Sequence, residues 1–415
     1  MQLKRSPNLI FVLITLFLDV MGIGLSIPIL PKLIAEFIGD VSTASYYYGA
    51  VVTTYALMLF IFSPIQGALS DQFGRRPILL FSLLGTGLTY VALTFAPTLP
   101  WIFAAQILNG LTGASSAVVF AYIADVSPPE QRAKNFGLVG ATIASGWVLG
   151  PALGGLLGSW GLRFPFGVAA IITFLNLLYG TFVVSESHSI ENRRPFSWGR
   201  ANPVGSLQLL RKNSFIFGLA GVMLFTDVAL QCYISTWVLF TTYKFQWTTG
   251  EAGISLALLG LVTASVQGVL IRPLISRFGS KRTIIIGLIF SLIGYLLYAF
   301  APAGWMMYWI IVINGFDYTI KPTVQGLLSA EVNAQEQGAI QGAVASETAL
   351  SSIIGPLLAT NLFGYFTSRN APIRLPEVPF LLGALLFVVA LWLAIATFSK
   401  KNLSHQQTED ISHDG

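Results

Sequence analysis

The chain is predicted to be an all-α polytopic membrane protein, with twelve transmembrane helices in two pseudo-symmetric six-helix halves. Three observations carry this. Hydrophobic residues fill 54% of its 415 positions and charged residues only 10%, where an ordinary soluble domain is about 25% charged. Apolar runs of about twenty residues, long enough to cross a bilayer as helices, recur throughout, and the mean hydropathy is +0.72. Finally, one offset relates the halves. A shift of 205 residues carries Phe73-Gly74 onto Phe278-Gly279, Asn109-Gly110 onto Asn314-Gly315, Gly137 onto Gly342, and Gly150-Pro151 onto Gly355-Pro356.

The spans fall at 8–31, 45–66, 77–96, 100–124, 135–158, 164–184, 213–240, 250–271, 283–301, 304–328, 338–365 and 378–398. The first carries Asp19 in its middle and has no small-x-small cleavage site, so it is expected to remain as a helix and not to leave as a signal peptide. The longest polar interval, 185–212, separates an N-terminal half (1–184) from a C-terminal half (213–398) and is read as a cytoplasmic linker. Residues 399–415 are polar and expected to be a disordered tail.

Placing the N-terminus in the cytoplasm puts seventeen of the 23 Lys and Arg residues on that side, among them Lys4, Arg5, Arg75, Arg76, Arg200, Lys212, Lys400 and Lys401. Lys32, Arg163, Lys244, Arg369 and Arg374 fall outside, and Lys321 stays within a span. The excess predicts cytoplasmic termini and a place in the inner (plasma) membrane. The net charge of +5 is thus spread over short loops and gives no reason to expect a nucleic-acid partner. One cysteine, Cys232, excludes an internal disulfide and a cysteine metal cluster. His188, His405 and His413 lie in polar segments, which leaves no histidine for metal or proton chemistry inside the membrane. There is no G-x-x-x-x-G-K-[ST] phosphate loop, nucleophile–histidine arrangement or metal-ligand spacing. A membrane enzyme or receptor is therefore disfavoured, no cofactor is expected, and the driving force should be an ion gradient.

Between spans two and three the chain reads GALSDQFGRRPILL, from Gly67 to Leu80. Gly67 and Gly74 permit close backbone approach. Asp71 lies four residues before Arg75, in reach of an ion pair on a helix, and Arg76 adds a second fixed charge. A basic turn that merely stops two helices would also place arginines here. The pattern G-x-x-x-D-x-x-G-R-R is narrower, and it resembles the loop between helices two and three of the major facilitator superfamily, with Gln72 where a basic residue is usual. The resemblance implies a cytoplasmic gate latch in which Asp71 and Arg75 meet Asp125, at the end of span four. In span five, GWVLGPALGG places Gly146, Gly150 and Gly154 on one helix face, open to a neighbouring backbone. Pro151 removes a donor and invites a kink. Together with Gly155 this segment resembles the helix-five motif of that superfamily's antiporters.

LDVMGIGLSIPILP (Leu18 to Pro31), GLTGAS (Gly110 to Ser115) and WVLF (Trp237 to Phe240) resemble the tetracycline-resistance exporters, which are twelve-helix drug/proton antiporters. The likeness runs over nearly the whole chain. Where those exporters carry embedded charges in helices three, four and nine, this chain has Thr89, Gln106 and Ser291; Asp19 is retained. The fold and the transporter class carry over; tetracycline as cargo does not.

The chain has embedded charges of its own: Asp227 in span seven, Asp317 and Lys321 in span ten, and Glu347 in span eleven. At ~1.5 Å per residue, Asp19, Asp317 and Glu347 lie about 14–20 Å deep. A charge at the bilayer centre costs at least ~2.5–3.5 kcal/mol, so each is expected to face a cavity or a partner. Structural pairing and a proton or substrate role both meet that demand. Asp317 and Lys321, four apart, are expected to pair, with Glu347 competing for the lysine. Gln231 should share a face with Asp227, and Asn109 with Gln106. The expected function is proton-coupled export of small amphipathic organic compounds by a monomer working with protons and the lipid bilayer; proton-coupled uptake is the alternative. Asp71→Asn is expected to impair transport without affecting membrane insertion, measured as turnover per inserted protein in vesicles.

Overall fold

A bilayer offers no water to an unpaired N–H or C=O, so each crossing must satisfy its backbone within its own helix. The computed structural model describes residues 9–113, 115–198, 210–211, 213–333 and 336–413; Lys4, Arg5, Ala114, Arg200 and Lys212, used above, lie outside them. In order the helices are α1 (Leu9–Ser26), α2 (Leu30–Ile38), α3 (Val41–Phe73), α4 (Arg75–Thr94), α5 (Leu99–Thr112), α6 (Ser115–Val126), α7 (Pro129–Gly158) and α8 (Phe164–Val183). There follow α9 (Ser214–Phe245), α10 (Thr249–Ser265), α11 (Ile271–Phe300), α12 (Gly304–Ile313), α13 (Ile320–Ala330), α14 (Gln337–Thr367) and α15 (Val378–His413).

Among the described residues ten helices are long and apolar enough to cross a membrane. Two further crossings are hidden in that number. Thr249–Phe300 is a single run of 52 residues, about 78 Å, more than twice a bilayer core. Gly279, with φ +76°, breaks it between spans eight and nine. Span ten is interrupted by a 3-10 stretch, Asn314–Thr319, between α12 and α13. Pro322 lies in the first turn of α13 and brings no N–H back to the preceding turn, which favours that break.

Other boundaries also differ from expectation. Span one runs on to Ile38 through a turn at residues 27–29, because Pro28 and Pro31 interrupt its ladder and Pro31 is then taken into the first turn of α2. Span five is helical straight through Pro151. The segment beyond residue 398, expected to be disordered, continues α15 to His413. Residues 399–413 hold no Gly or Pro to stop the helix once formed.

The chain divides into two compact units, Met1–Asn202 with Val238–Leu261, and Pro203–Trp237 with Val262–Gly415. In the first unit α1 lies along α7, α4 along α8 and α3 along α5. Its core gathers Phe11, Leu16, Leu79, Leu83, Val119, Tyr122 and Ile123. The outward face of α8 is the reverse, with Ile171, Leu175, Leu178 and Phe182 exposed as lipid contact requires. Val238–Leu261 falls beyond the sequence boundary at 213, yet it packs here. Gly253 lies against the backbone of Gly155, Gly260 against that of Trp147, and the Lys32 ammonium donates to the Trp247 carbonyl at 2.8 Å. In the second unit α11 packs on α15 and on the 3-10 stretch, and α14 on α15.

The glycine face of α7 meets α1. A Cβ at Gly146 would stand 2.9 Å from that of Val20, one at Gly150 would be 2.5 Å from the Met21 carbonyl, and one at Gly154 2.9 Å from the Leu25 Cα. The second unit repeats the seam. Gly355 of α14 meets Val228, Gln231 and Cys232 of α9, as Gly150 meets Met21, Gly24 and Leu25. The loop glycines match too: φ/ψ is 106/160° at Gly74 and 76/162° at Gly279, a region closed to side chains. Gly150→Val is expected to cost ~1–3 kcal/mol by overpacking. Gly137→Ala, where nothing lies within 4 Å, should hold or raise the melting temperature; both are read by thermal unfolding in detergent.

Candidate functional site

The first polar site is built on the break between α3 and α4. Gly74 turns the chain with a φ of 106°, and a Cβ there would also strike the Glu186 carboxyl carbon at 2.7 Å. The turn leaves the N-terminal N–H groups of α4 without helical partners. Glu186, just past α8, supplies the acceptor: its carboxylate takes the backbone N–H of Arg75 at 2.8 Å and of Arg76 at 3.2 Å. In return the Arg76 guanidinium donates to the Thr181 carbonyl at 2.6 Å, in the last turn of α8. Anion at a helix start and cation at a helix end both suit the helix dipole.

Arg75 itself is buried, 7% exposed. Its Nη1 donates to Asp71 Oδ1 at 2.6 Å and to Ser70 Oγ at 2.5 Å, and its Nε to Asp125 Oδ2 at 3.1 Å. The three residues grouped from the sequence are thus in one network, tying α3, α4 and α6 together. The sequence reading missed Ser70, Glu186, His188 and Arg194. His188 Nδ1 lies 3.5 Å from Asp125 Oδ2, and the Arg194 N–H donates to the Asp71 carbonyl at 3.2 Å. With Ser187 they line a cleft of about 390 Å³. An acid directly after a span, Glu186, was the one available signal; its partner is 111 residues away. Gly67 does not admit a close neighbour as expected. Among the described residues nothing lies within 4 Å of its would-be Cβ.

The second site lies in the second unit, where α9, α11, α13 and α14 bring polar groups together. Lys321 Nζ donates to Asp227 Oδ2 at 2.5 Å and to Thr348 Oγ1 at 2.8 Å, and Thr348 Oγ1 in turn lies 3.1 Å from the same carboxylate oxygen. One turn along, Gln231 Nε2 donates to Ser352 Oγ at 2.8 Å, so Asp227 and Gln231 do share a face, toward α14. Glu347 is buried; Ser351 Oγ donates to its Oε1 at 3.0 Å, and its carboxyl lies beside that of Asp227.

The expected Asp317–Lys321 pair does not form. In an α-helix the two would stand ~40° apart around the axis. Two of the four intervening steps are wound as 3-10 helix, at ~120° each, which turns Asp317 about twice as far away. Asp317 instead meets Ser291 of α11, Oδ1 to Oγ 3.0 Å. Ser291 is the position at which the resemblance sets a helix-nine carboxylate. The acid is therefore present at this point, but it reaches it from the neighbouring crossing. Ser291 Oγ also lies 2.8 Å from the Gly287 carbonyl. A hydroxyl has one proton. It can be donated to an ionised Asp317, or to Gly287 while a protonated Asp317 donates to the serine.

Asp19 of α1 is half-buried, within electrostatic reach of Tyr55 and Tyr90. Thr89 is buried and donates to the Gly85 carbonyl at 2.9 Å. Gln106 is buried and Asn109 half-buried on α5.

A family model described as Major Facilitator Superfamily matches residues 12–270 and 219–411. The chain is 40% identical over 389 residues to a tetracycline resistance protein, class C, of Escherichia coli, covering 94% of this chain and 96% of that one. It is 36% identical over 364 residues to the class H protein of Pasteurella multocida, covering 87% and 90%. The fold is similar to the crystal structure of the nucleoside transporter NupG, with a TM-score of 0.76, 15% identity, and coverage of 94% of this chain and 99% of that one.

Glu186→Ala is expected to free the α4 N-terminus and loosen the segment after α8. Limited trypsin digestion after Arg193 should then be several-fold faster than in the unmodified protein, with the free energy of unfolding lowered by ~1–3 kcal/mol.

Proposed function

We propose that this chain, which belongs to the major facilitator superfamily, exports small amphipathic organic compounds in exchange for protons, by alternating access. The observation that carries this is the 33–40% identity to tetracycline resistance proteins over most of the chain. In this reading it is a monomer in the inner membrane with both termini in the cytoplasm, driven by the proton gradient alone. Tetracyclines head the compounds to try, although Thr89, Gln106 and Ser291 replace charges that the resemblance sets there.

Asp71, Arg75 and Asp125 form the cytoplasmic latch. A buried arginine shared by two carboxylates is costly to leave half-paired, so the network opens or closes as a unit. Protons are handled by the embedded acids, of which Asp317 has the most suitable surroundings. The Ser291 hydroxyl can serve either protonation state by turning, so charge can enter and leave without stranding a donor. Asp19, Asp227 and Glu347 are the other candidates, with Gln106, Asn109, Gln231 and Lys321 as polar lining.

The test moves the acid between crossings. In vesicles energised with a pH gradient, Asp317→Asn is expected to abolish proton-linked export. The double variant Ser291→Asp with Asp317→Ser should restore it in part. A drug-susceptibility panel that includes a tetracycline, run on cells producing the same variants, reports cargo. Undiminished proton-linked export by Asp317→Asn would move the proton to another acid. No export of any compound would sink the transport reading.

A further inference from the structure

We propose that Lys321 recognises the cargo's head group and that the cargo is an organic acid: an aromatic or amphipathic compound bearing a carboxylate or enolate oxygen. The inference rests on the export reading above and narrows it. An ammonium has three N–H donors. Two of those on Lys321 are taken by Asp227 Oδ2 at 2.5 Å and Thr348 Oγ1 at 2.8 Å. No other acceptor for Lys321 occurs among the described residues, and its side chain is 34% exposed where that of Asp227 is 7% exposed. The lysine is thus the exposed member of the pair, with its acid covered.

The order of charges decides the class of ligand. A compound reaching this point meets the lysine first. A cationic head group would face a like charge, while the nearby acids, Asp227 and Glu347, are both covered. An anionic oxygen completes the third bond of the ammonium and makes a charge-assisted pair. Asp227 and Thr348 hold the ammonium from behind, so its position is set before cargo arrives. The Gln231–Ser352 bond, one turn further along α9 and α14, offers neutral amide and hydroxyl groups to the rest of a polar head. A purely structural ion pair would need none of this exposure, and an apolar pair of similar volume would serve as well or better.

The test uses two probes with the same ring and opposite heads, 2-naphthoate and 2-naphthylmethylammonium, titrated calorimetrically into the purified full chain in detergent. The unmodified protein is expected to bind the naphthoate and not the ammonium at equal concentration, a comparison that needs no variant. Lys321→Arg should keep naphthoate binding within a few-fold. Asp227→Asn with Lys321→Gln removes both charges together, so that neither is left buried and unpaired, and should weaken binding by about tenfold or more. Thermal melts confirm that each variant is folded. Preference for the ammonium probe, binding of neither probe, or naphthoate binding unchanged in the double variant would overturn the proposal. Efflux in vesicles separates the two readings. A protein that exports a cationic dye against a pH gradient but ignores naphthoate remains an exporter without this specificity. One that binds naphthoate through Lys321 and moves nothing keeps the site and loses the transport role.

Discussion

An ionised group within a membrane-spanning helix has to find its counter-charge or its hydrogen bonds inside the protein, because hydrocarbon supplies neither. That demand arranges most of the polar structure of this chain. Lys321 is held by Asp227 and Thr348, Asp317 by Ser291, and Glu347 by Ser351. Each contact except the last joins two different crossings. Packing of α9, α11, α13 and α14 is therefore bound to the electrostatics of one cluster, and a change of protonation at any member alters what its neighbours can donate or accept. Coupling of a proton to movement needs a dependence of this kind.

Apolar packing is managed by a different device, the close approach of backbones. In hydrocarbon, helix association depends on contact and not on water expulsion. Gly146, Gly150 and Gly154 bring α7 onto α1, and Gly355 does the same for α14 on α9. The two seams are related by the internal repeat, yet they are finished differently. The first is almost wholly apolar, with Val20, Met21 and Leu25 against glycine. The second adds Asp227–Thr348 and Gln231–Ser352 to the same kind of contact. One backbone arrangement thus occurs twice, once with apolar side chains and once with a polar set.

Around Arg75, helix ends take the place of charges as partners. Glu186 sits on the start of α4 and Arg76 on the end of α8, so each helix terminus is answered by a side chain from the other's neighbourhood. The segment that follows α8 is consequently part of the Arg75 site. Its backbone reaches Asp71 through Arg194, and its histidine lies beside Asp125. The Arg75 network thus ties the chain after α8 to α3, α4 and α6.

The sequence by itself determined the class, the number of crossings, the family and the Asp71, Arg75 and Asp125 grouping. Hydropathy and loop charge act over lengths of about twenty residues and need no knowledge of neighbours. The Asp71–Arg75 spacing was legible for a similar reason, since i,i+4 geometry is local. Only the tertiary structure decided which embedded charge meets which. Asp317 and Lys321 looked like a pair at helical spacing, but the 3-10 winding of Asn314–Thr319 turned one toward Ser291 and left the other to Asp227, 94 residues away. The same holds for Glu186 at the α4 terminus and for Val238–Leu261, drawn to the first unit by glycine contacts with α7. The physical reason is common to all three. A local pattern states what a residue needs, whereas the partner that meets the need is set by which helices lie side by side.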